Sequence, residues 1–164
     1  MEDIEVVQYS EVEEAFKLIK SKKLEKNDDY FISFEMDLKS FDETSLRRLL
    51  FDYKILIFKD GKEENADFII YKVPELEEDE SEITIWAFNT KNIKFLSDTI
   101  NKIKKEYSFY SWSRIKLDIL NCQSDKINLD NIKGIGFEKD LVINSNKEEN
   151  NRILYRLYYE REER

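Results

Sequence analysis

The sequence predicts an α/β domain built on a mixed central sheet of about six to seven strands with helices on both faces. Three observations predict it. Strand-like and helix-like periodicities alternate along the 164 residues in the order β-α-β-α-β-β-β-α-β-α-β-β. A hairpin signal in the middle calls for antiparallel pairing, and a β-α-β run after it calls for parallel neighbours joined by a right-handed crossover. Three glycines and one proline leave little room for a linker, so residues 1–164 read as a single domain.

Each element has a local reason. Ile4 to Tyr9 reads as a short strand. Ser10 with Glu13 three residues on is a capping box, and Val12, Ala15, Phe16 and Ile19 then fall on one face of a helix over about 11–24. Tyr30 to Leu38 alternates, with Ile32, Phe34, Met36 and Leu38 on one side, which is strand periodicity. A second capping box, Ser40 to Glu43, opens a helix that buries Leu46, Leu49, Leu50 and Tyr53. Lys54 to Phe58 is apolar and β-prone, Asp60-Gly61 signals a hairpin turn, and Phe68 to Val73 returns. Pro74 closes that strand because proline cannot donate to a ladder.

Residues 75–80, Glu-Leu-Glu-Glu-Asp-Glu, form an acidic loop. Ile83 to Phe88 follows as a central strand, with Ile83, Ile85 and Ala87 on one side and Thr84, Trp86 and Phe88 on the other. Ile93, Leu96, Ile100, Ile103 and Tyr107 recur at helical spacing over 91–107. Ile115, Leu117 and Ile119 mark the next strand, and Ile127 to Ile132 a short helix broken by Gly134-x-Gly136-Phe137. Leu141–Ile143 and Ile153–Tyr159 supply the last two strands.

Composition removes several classes of chemistry. There is no histidine, and Cys122 is the only cysteine, so no disulfide framework, Cys/His zinc site or Ser-His or Cys-His catalytic pair is available. A nucleophilic role for Cys122 also lacks a partner to lower its pKa. The N-terminus lacks the pattern of a signal peptide, and no apolar run approaches a membrane span of ~18 residues. The expectation is a soluble cytoplasmic protein with no metal and no membrane partner. Its formal charge of −9 argues against a nucleic-acid surface. The charge is uneven: residues 1–82 hold 12 Lys/Arg against 24 Asp/Glu, a balance of −12, whereas 83–164 hold 15 against 12, a balance of +3.

From Lys54 onward this order resembles the GNAT superfamily of acyl-CoA N-acyltransferases. Ser81-Glu82-Ile83-Thr84-Ile85-Trp86-Ala87-Phe88 resembles the family's fourth strand, and Asn128 to Glu138 its helix-to-strand signature ending in Gly-Phe-Glu. Arg152 to Leu157 is similar to its final strand. The resemblance covers roughly 54–159. It implies acetyl-CoA or another acyl-CoA as co-substrate, a cationic amine as acceptor, and direct attack of the amine on the thioester. The N–H of Phe88 or a neighbour would polarise the thioester carbonyl.

The sequence departs from the family at two places. The turn after the fourth strand should carry glycines whose backbone cradles pyrophosphate. Here it is Asn89-Thr90-Lys91-Asn92-Ile93-Lys94, without glycine. Ile132 stands where many members place the tyrosine that protonates the leaving thiolate.

The resemblance therefore nominates Phe88, Asn89, Lys91, Asn92, Lys94 and Asn121 for the co-substrate and Glu82 as general base. Each has an ordinary reading beside it. Glu82 ends an acidic loop, is expected to be exposed, and its replacement by glutamine should then cost no more than about half a kcal/mol. Lys91 and Lys94 are either phosphate contacts or first-turn residues of a solvated helix face. Asn121 is either a contact to the acyl donor or an asparagine at a strand end. The aromatic group Tyr107, Phe109, Tyr110 and Trp112 lines a pocket or packs beneath a loop. Beside the acyltransferase stand two other readings. One is a GNAT-fold protein without catalysis that binds or regulates; the other is a small acidic interaction protein of the immunity type.

Overall fold

The computed structural model describes residues 4–17, 31–32, 42–52, 54–59, 66–74, 82–89, 93–108, 114–121 and 129–159. The strands are β1 (Ile4–Val6), β2 (Phe31–Ile32), β3 (Lys54–Lys59), β4 (Ala66–Lys72), β5 (Glu82–Asn89), β6 (Arg114–Leu120), β7 (Glu138–Ile143) and β8 (Arg152–Tyr158). The helices are α1 (described over 12–17), α2 (Glu43–Asp52), α3 (Ile93–Glu106) and α4 (Leu129–Ile135). The strands form one mixed sheet in the order β1-β3-β4-β5-β6-β8-β7, with β2 also paired to β5. Among the described residues that is eight strands, of which β2 is a two-residue piece, against a sheet of about six to seven expected. Of the strand expected over Tyr30–Leu38, only Phe31 and Ile32 are among the described residues.

β5 and β6 are parallel and joined through α3, while the other pairings are antiparallel. This is the outcome the β-α-β spacing requires. The core lies on the α3 face of the sheet. Phe95, Leu96, Ile100 and Ile103 of α3 and Ile132 of α4 pack on Ile69, Tyr71, Ile83, Ile85, Ile115, Leu117, Ile119, Ile153, Tyr155 and Leu157. Phe68 and Ile70, on the opposite side of β4, are also buried, so both faces are covered. Leu46 of α2 and Val12 and Ala15 of α1 are buried as the helical spacing predicts.

The caps differ from the sequence reading. A 3-10 turn at Tyr9–Glu11 precedes α1, and the Glu11 carboxylate accepts the Gln8 N–H at 2.8 Å. Glu13, expected to make that reach, instead accepts from Lys17 at 2.9 Å, one turn on. α2 is capped by Asp42, whose Oδ1 accepts the Ser45 N–H at 2.7 Å and the Ser45 hydroxyl at 2.8 Å. A carboxylate one residue before the helix reaches this N–H and the hydroxyl directly, and it also suits the positive end of the helix. Ser40 lies outside the described residues. Tyr9 ties the two helices together: its ring lies 5.7 Å from that of Phe51, and the Arg47 guanidinium sits 5.4 Å above it.

α4 runs through Gly134 and ends at Ile135, three residues later than expected. A Cβ on Gly134 would meet nothing within 4 Å, so this glycine breaks nothing. Gly136 is the terminator. Its φ of 109° lies where side-chain-bearing residues are strained, and it lets the Phe137 N–H turn back to the Ile132 carbonyl at 3.2 Å. Phe137 is thereby set into the core.

Candidate functional site

The site is built by β5. Its pairing with β4 runs Lys72↔Thr84 and Tyr71↔Ile85, then steps to Ile70↔Ala87, Ile69↔Phe88 and Phe68↔Asn89. β5 thus carries one extra residue, Trp86, a bulge that bends and twists the strand. The bulge corrects the side assignment made from alternation. Phe88 lies opposite Ile69 and Ile85 opposite Tyr71, so Phe88 shares the α3 face with Ile83 and Ile85 and joins the core there. Strict alternation would have put it on the other side.

β5 and β6 are in register only from Glu82↔Arg114 to Ile85↔Leu117. β5 continues to Asn89 and β6 to Leu120, so the two strands part just where the bulge begins. β6 cannot follow β5, because it is in register with β8 over its whole length, from Arg114↔Tyr158 to Leu120↔Arg152. The β5–β6 ladder therefore ends part-way along both strands, and this parting of the two is the gap between them. A strand has two edges, and β4 holds one edge of β5. The other edge carries β6 over Glu82–Ile85 and then β2, through Phe31↔Asn89 and Ile32↔Phe88.

The nominated residues distribute unevenly about this gap. Phe88 and Asn89 form the end of β5 beside it. Asn121 follows β6 directly, half-buried, and its N–H donates to the Asn151 carbonyl at 2.8 Å, which prolongs the β6–β8 pairing. Lys94 is exposed in the first turn of α3. Lys91 and Asn92 lie outside the described residues, as do Cys122 and the aromatic positions 109, 110 and 112. Tyr107 is buried, with its ring edge-on to Tyr71 at 6.5 Å. Ile132 is 2% exposed within the core, so this position offers no proton donor to any cleft.

Glu82 is not the exposed carboxylate expected from its place after the acidic loop. Its side chain is 8% exposed. Arg156 Nε donates to Glu82 Oε2 at 2.9 Å, and Lys116 Nζ lies 3.6 Å from Oε1. Burial pushes the Glu82 carboxyl up, but the Arg156 hydrogen bond and charge, with Lys116 and Arg114, outweigh it and hold the group below its ordinary value. Arg156 is shared with Asp140, and Arg152 pairs in the same way with Asp118, whose side chain is fully buried.

This ionic lattice on β5, β6, β7 and β8 was missed as a unit. The readable signal was Asp118, a lone acid in the apolar run Ile115 to Leu120, which demands a buried partner. Among the described residues, no group of three or more acidic or thiol side chains converges to hold a metal ion. No described helix is long and apolar enough to cross a membrane.

No family model matches the sequence, and no curated protein matches it. Solved structures do. The protein smu.2055 from Streptococcus mutans shares the fold with a TM-score of 0.70 at 10% identity, over 95% of this chain and 98% of that one. An N-acetyltransferase from Staphylococcus aureus gives 0.66 at 11% identity, over 95% and 96%. The ribosomal L7/L12 alpha-N-protein acetyltransferase RimL, solved in complex with coenzyme A, gives 0.64 at 8% identity, over 95% and 93%. The chain has the fold of the GNAT N-acetyltransferases. At such identity the likeness fixes the fold and leaves the chemistry to the site.

Proposed function

We propose that the protein is an N-acyltransferase that takes an acyl-CoA into the gap between β5 and β6 and passes the acyl group to a cationic amine. The observation that carries this is the parting of the two strands after Ile85 and Leu117, in a fold shared with a coenzyme A complex. A parted strand offers backbone N–H and C=O groups along its edge, and the amide-bearing arm of coenzyme A is an extended chain suited to meet them. The mildly cationic C-terminal half favours the polyanionic donor, and the acidic N-terminal half favours an amine.

In this reading the ammonium group first gives one proton to solvent, and its neutral nitrogen bonds to the thioester carbon as the carbon–sulfur bond breaks. The second proton that the nitrogen loses on becoming an amide passes through solvent to the thiolate. The backbone at Phe88 supplies the dipole that steadies the developing oxyanion. Glu82 is a positioning residue. A carboxylate paired with Arg156 and held below its ordinary pKa is a weak proton acceptor. It also sits three residues before the gap opens, roughly 10 Å along the strand. Glu82 fixes Arg156 and Lys116 where β5 and β6 are still paired.

A second reading, a GNAT fold that binds without catalysing, is favoured by Ile132, which fills the core where a tyrosine acid would be needed. Release of free thiol from acetyl-CoA in the presence of a diamine separates the two, and calorimetric titration with acetyl-CoA at low and high salt tests the donor site. With no glycine between residues 62 and 133, attraction for the phosphates rests on Lys91 and Lys94, and such point charges are screened within about 8–10 Å. Binding should be weak, fall with salt, and weaken further in a Lys91→Ala/Lys94→Ala variant. No binding at either salt refutes the acyltransferase. Tight, salt-insensitive binding refutes the lysine-dependent capture of the phosphates.

A further inference from the structure

We infer that β2 is an internal competitor for the acyl-CoA site: Phe31–Ile32 hold the edge of β5 that the co-substrate must use, and they have to leave before it binds. The inference rests on the acyl-CoA reading above. The same edge of β5 serves β6 over Glu82–Ile85 and β2 over Phe88–Asn89, with the bulge residue Trp86 and Ala87 between the two stretches. β2 therefore stands where β6 has turned away. It makes with β5 the antiparallel contacts that an extended amide chain would make.

The arrangement suits a switch. A two-residue strand contributes only one or two ladder hydrogen bonds, so its hold on the edge is small. β5 does not depend on it for its place, being in register with β4 from Thr84 to Asn89. Losing β2 would leave the sheet order from β1 to β7 intact. A site open only part of the time has its affinity lowered in proportion to the fraction of time it is open. If β2 holds the edge about nine-tenths of the time, acyl-CoA affinity is lowered about tenfold.

The test is Ile32→Pro, which removes an N–H and is poorly tolerated in a paired strand. Acetyl-CoA affinity is measured by calorimetry on the full chain and its variant, and urea melts establish that the variant folds. Affinity should rise about tenfold in the variant. Equal affinity overturns the competitor and leaves the acyl-CoA reading standing. Weaker binding makes β2 part of the site and also overturns it. No binding by either protein overturns the acyl-CoA reading itself.

A second variant leaves β5 untouched and needs no proline. Phe31→Gly/Ile32→Gly weakens the strand at both residues that pair with β5. Acetyl-CoA affinity should again rise above that of the wild type. Equal or weaker binding in this variant, once urea melts show that it folds, overturns the inference.

Discussion

Replacing Glu82 by glutamine takes one negative charge from a place where its side chain is 8% exposed and where Arg156, at 22%, and Lys116, at 16%, both face it. Removing one partner of a fully buried pair costs about 3–5 kcal/mol, because the other charge is left without compensation. Here the cost is lower for two reasons: the cations keep some contact with water, and Arg156 keeps Asp140. The amide oxygen of glutamine still accepts one hydrogen bond. An expected loss of about 2 kcal/mol follows, or about 4–8 °C in Tm for a chain of this size.

The pH dependence gives a second reading of the same group. The folded-state carboxyl lies below the ordinary glutamate value of about 4.3. Its stabilisation is therefore complete above that value and is lost as pH falls through the lowered one. Urea unfolding of wild type and Glu82→Gln at pH 7 and at stepwise lower pH checks both statements. The curves should be well separated at neutrality and converge in acid. A separation below about half a kcal/mol at pH 7 would mean the carboxylate is solvated in solution, and the positioning role would fall with it.

Two further perturbations test the local geometry. Gly136→Ala should destabilise by about 1–2 kcal/mol through its φ of 109°, whereas Gly134→Ala, in open space inside α4, should be neutral or stabilise by up to about 1 kcal/mol; thermal melts that rank the two the other way would place the helix stop at Gly134. Asp42→Ala should cost about 1 kcal/mol by removing the acceptor for Ser45, and Asp42→Asn, measured by the same melts, should recover most of it.

Much of the fold was legible because periodicity reports which face of an element is apolar. α3 shows this best: Leu96, Ile100 and Ile103 recur at helical spacing, and all are buried. Parallel pairing of β5 with β6 followed from the chain order and the hand of the crossover. The misses have physical causes. A capping box is one of several ways to satisfy the first N–H groups, so Glu11 makes the reach expected of Glu13, and Asp42 accepts from the first turn of α2. Gly134 and Gly136 look alike in sequence, and only the backbone angle tells which one ends α4. Glu82 was misjudged by its sequence neighbours. Its cations come from β6 and β8, and Arg156 is distant along the chain.

The gap between β5 and β6 could not be read from composition, because it arises from a mismatch between two ladders. Ile85 is the last residue of β5 in register with Leu117, and it is also the last before the bulge. One extra residue at Trp86 increases the local twist and turns the end of β5 away. β6 is meanwhile committed to β8 through a seven-residue register, which four pairs with β5 cannot override. Neither strand is unusual alone: Glu82–Asn89 and Arg114–Leu120 both read as ordinary buried strands. The same insertion swings Phe88 onto the α3 face, where it is 4% exposed, and so anchors the diverging end of β5 in the core. The opening is thus held by packing on one side of the sheet and by the β8 ladder on the other. An opening fixed from both sides is suited to receive a ligand without first being rebuilt, apart from the two residues of β2.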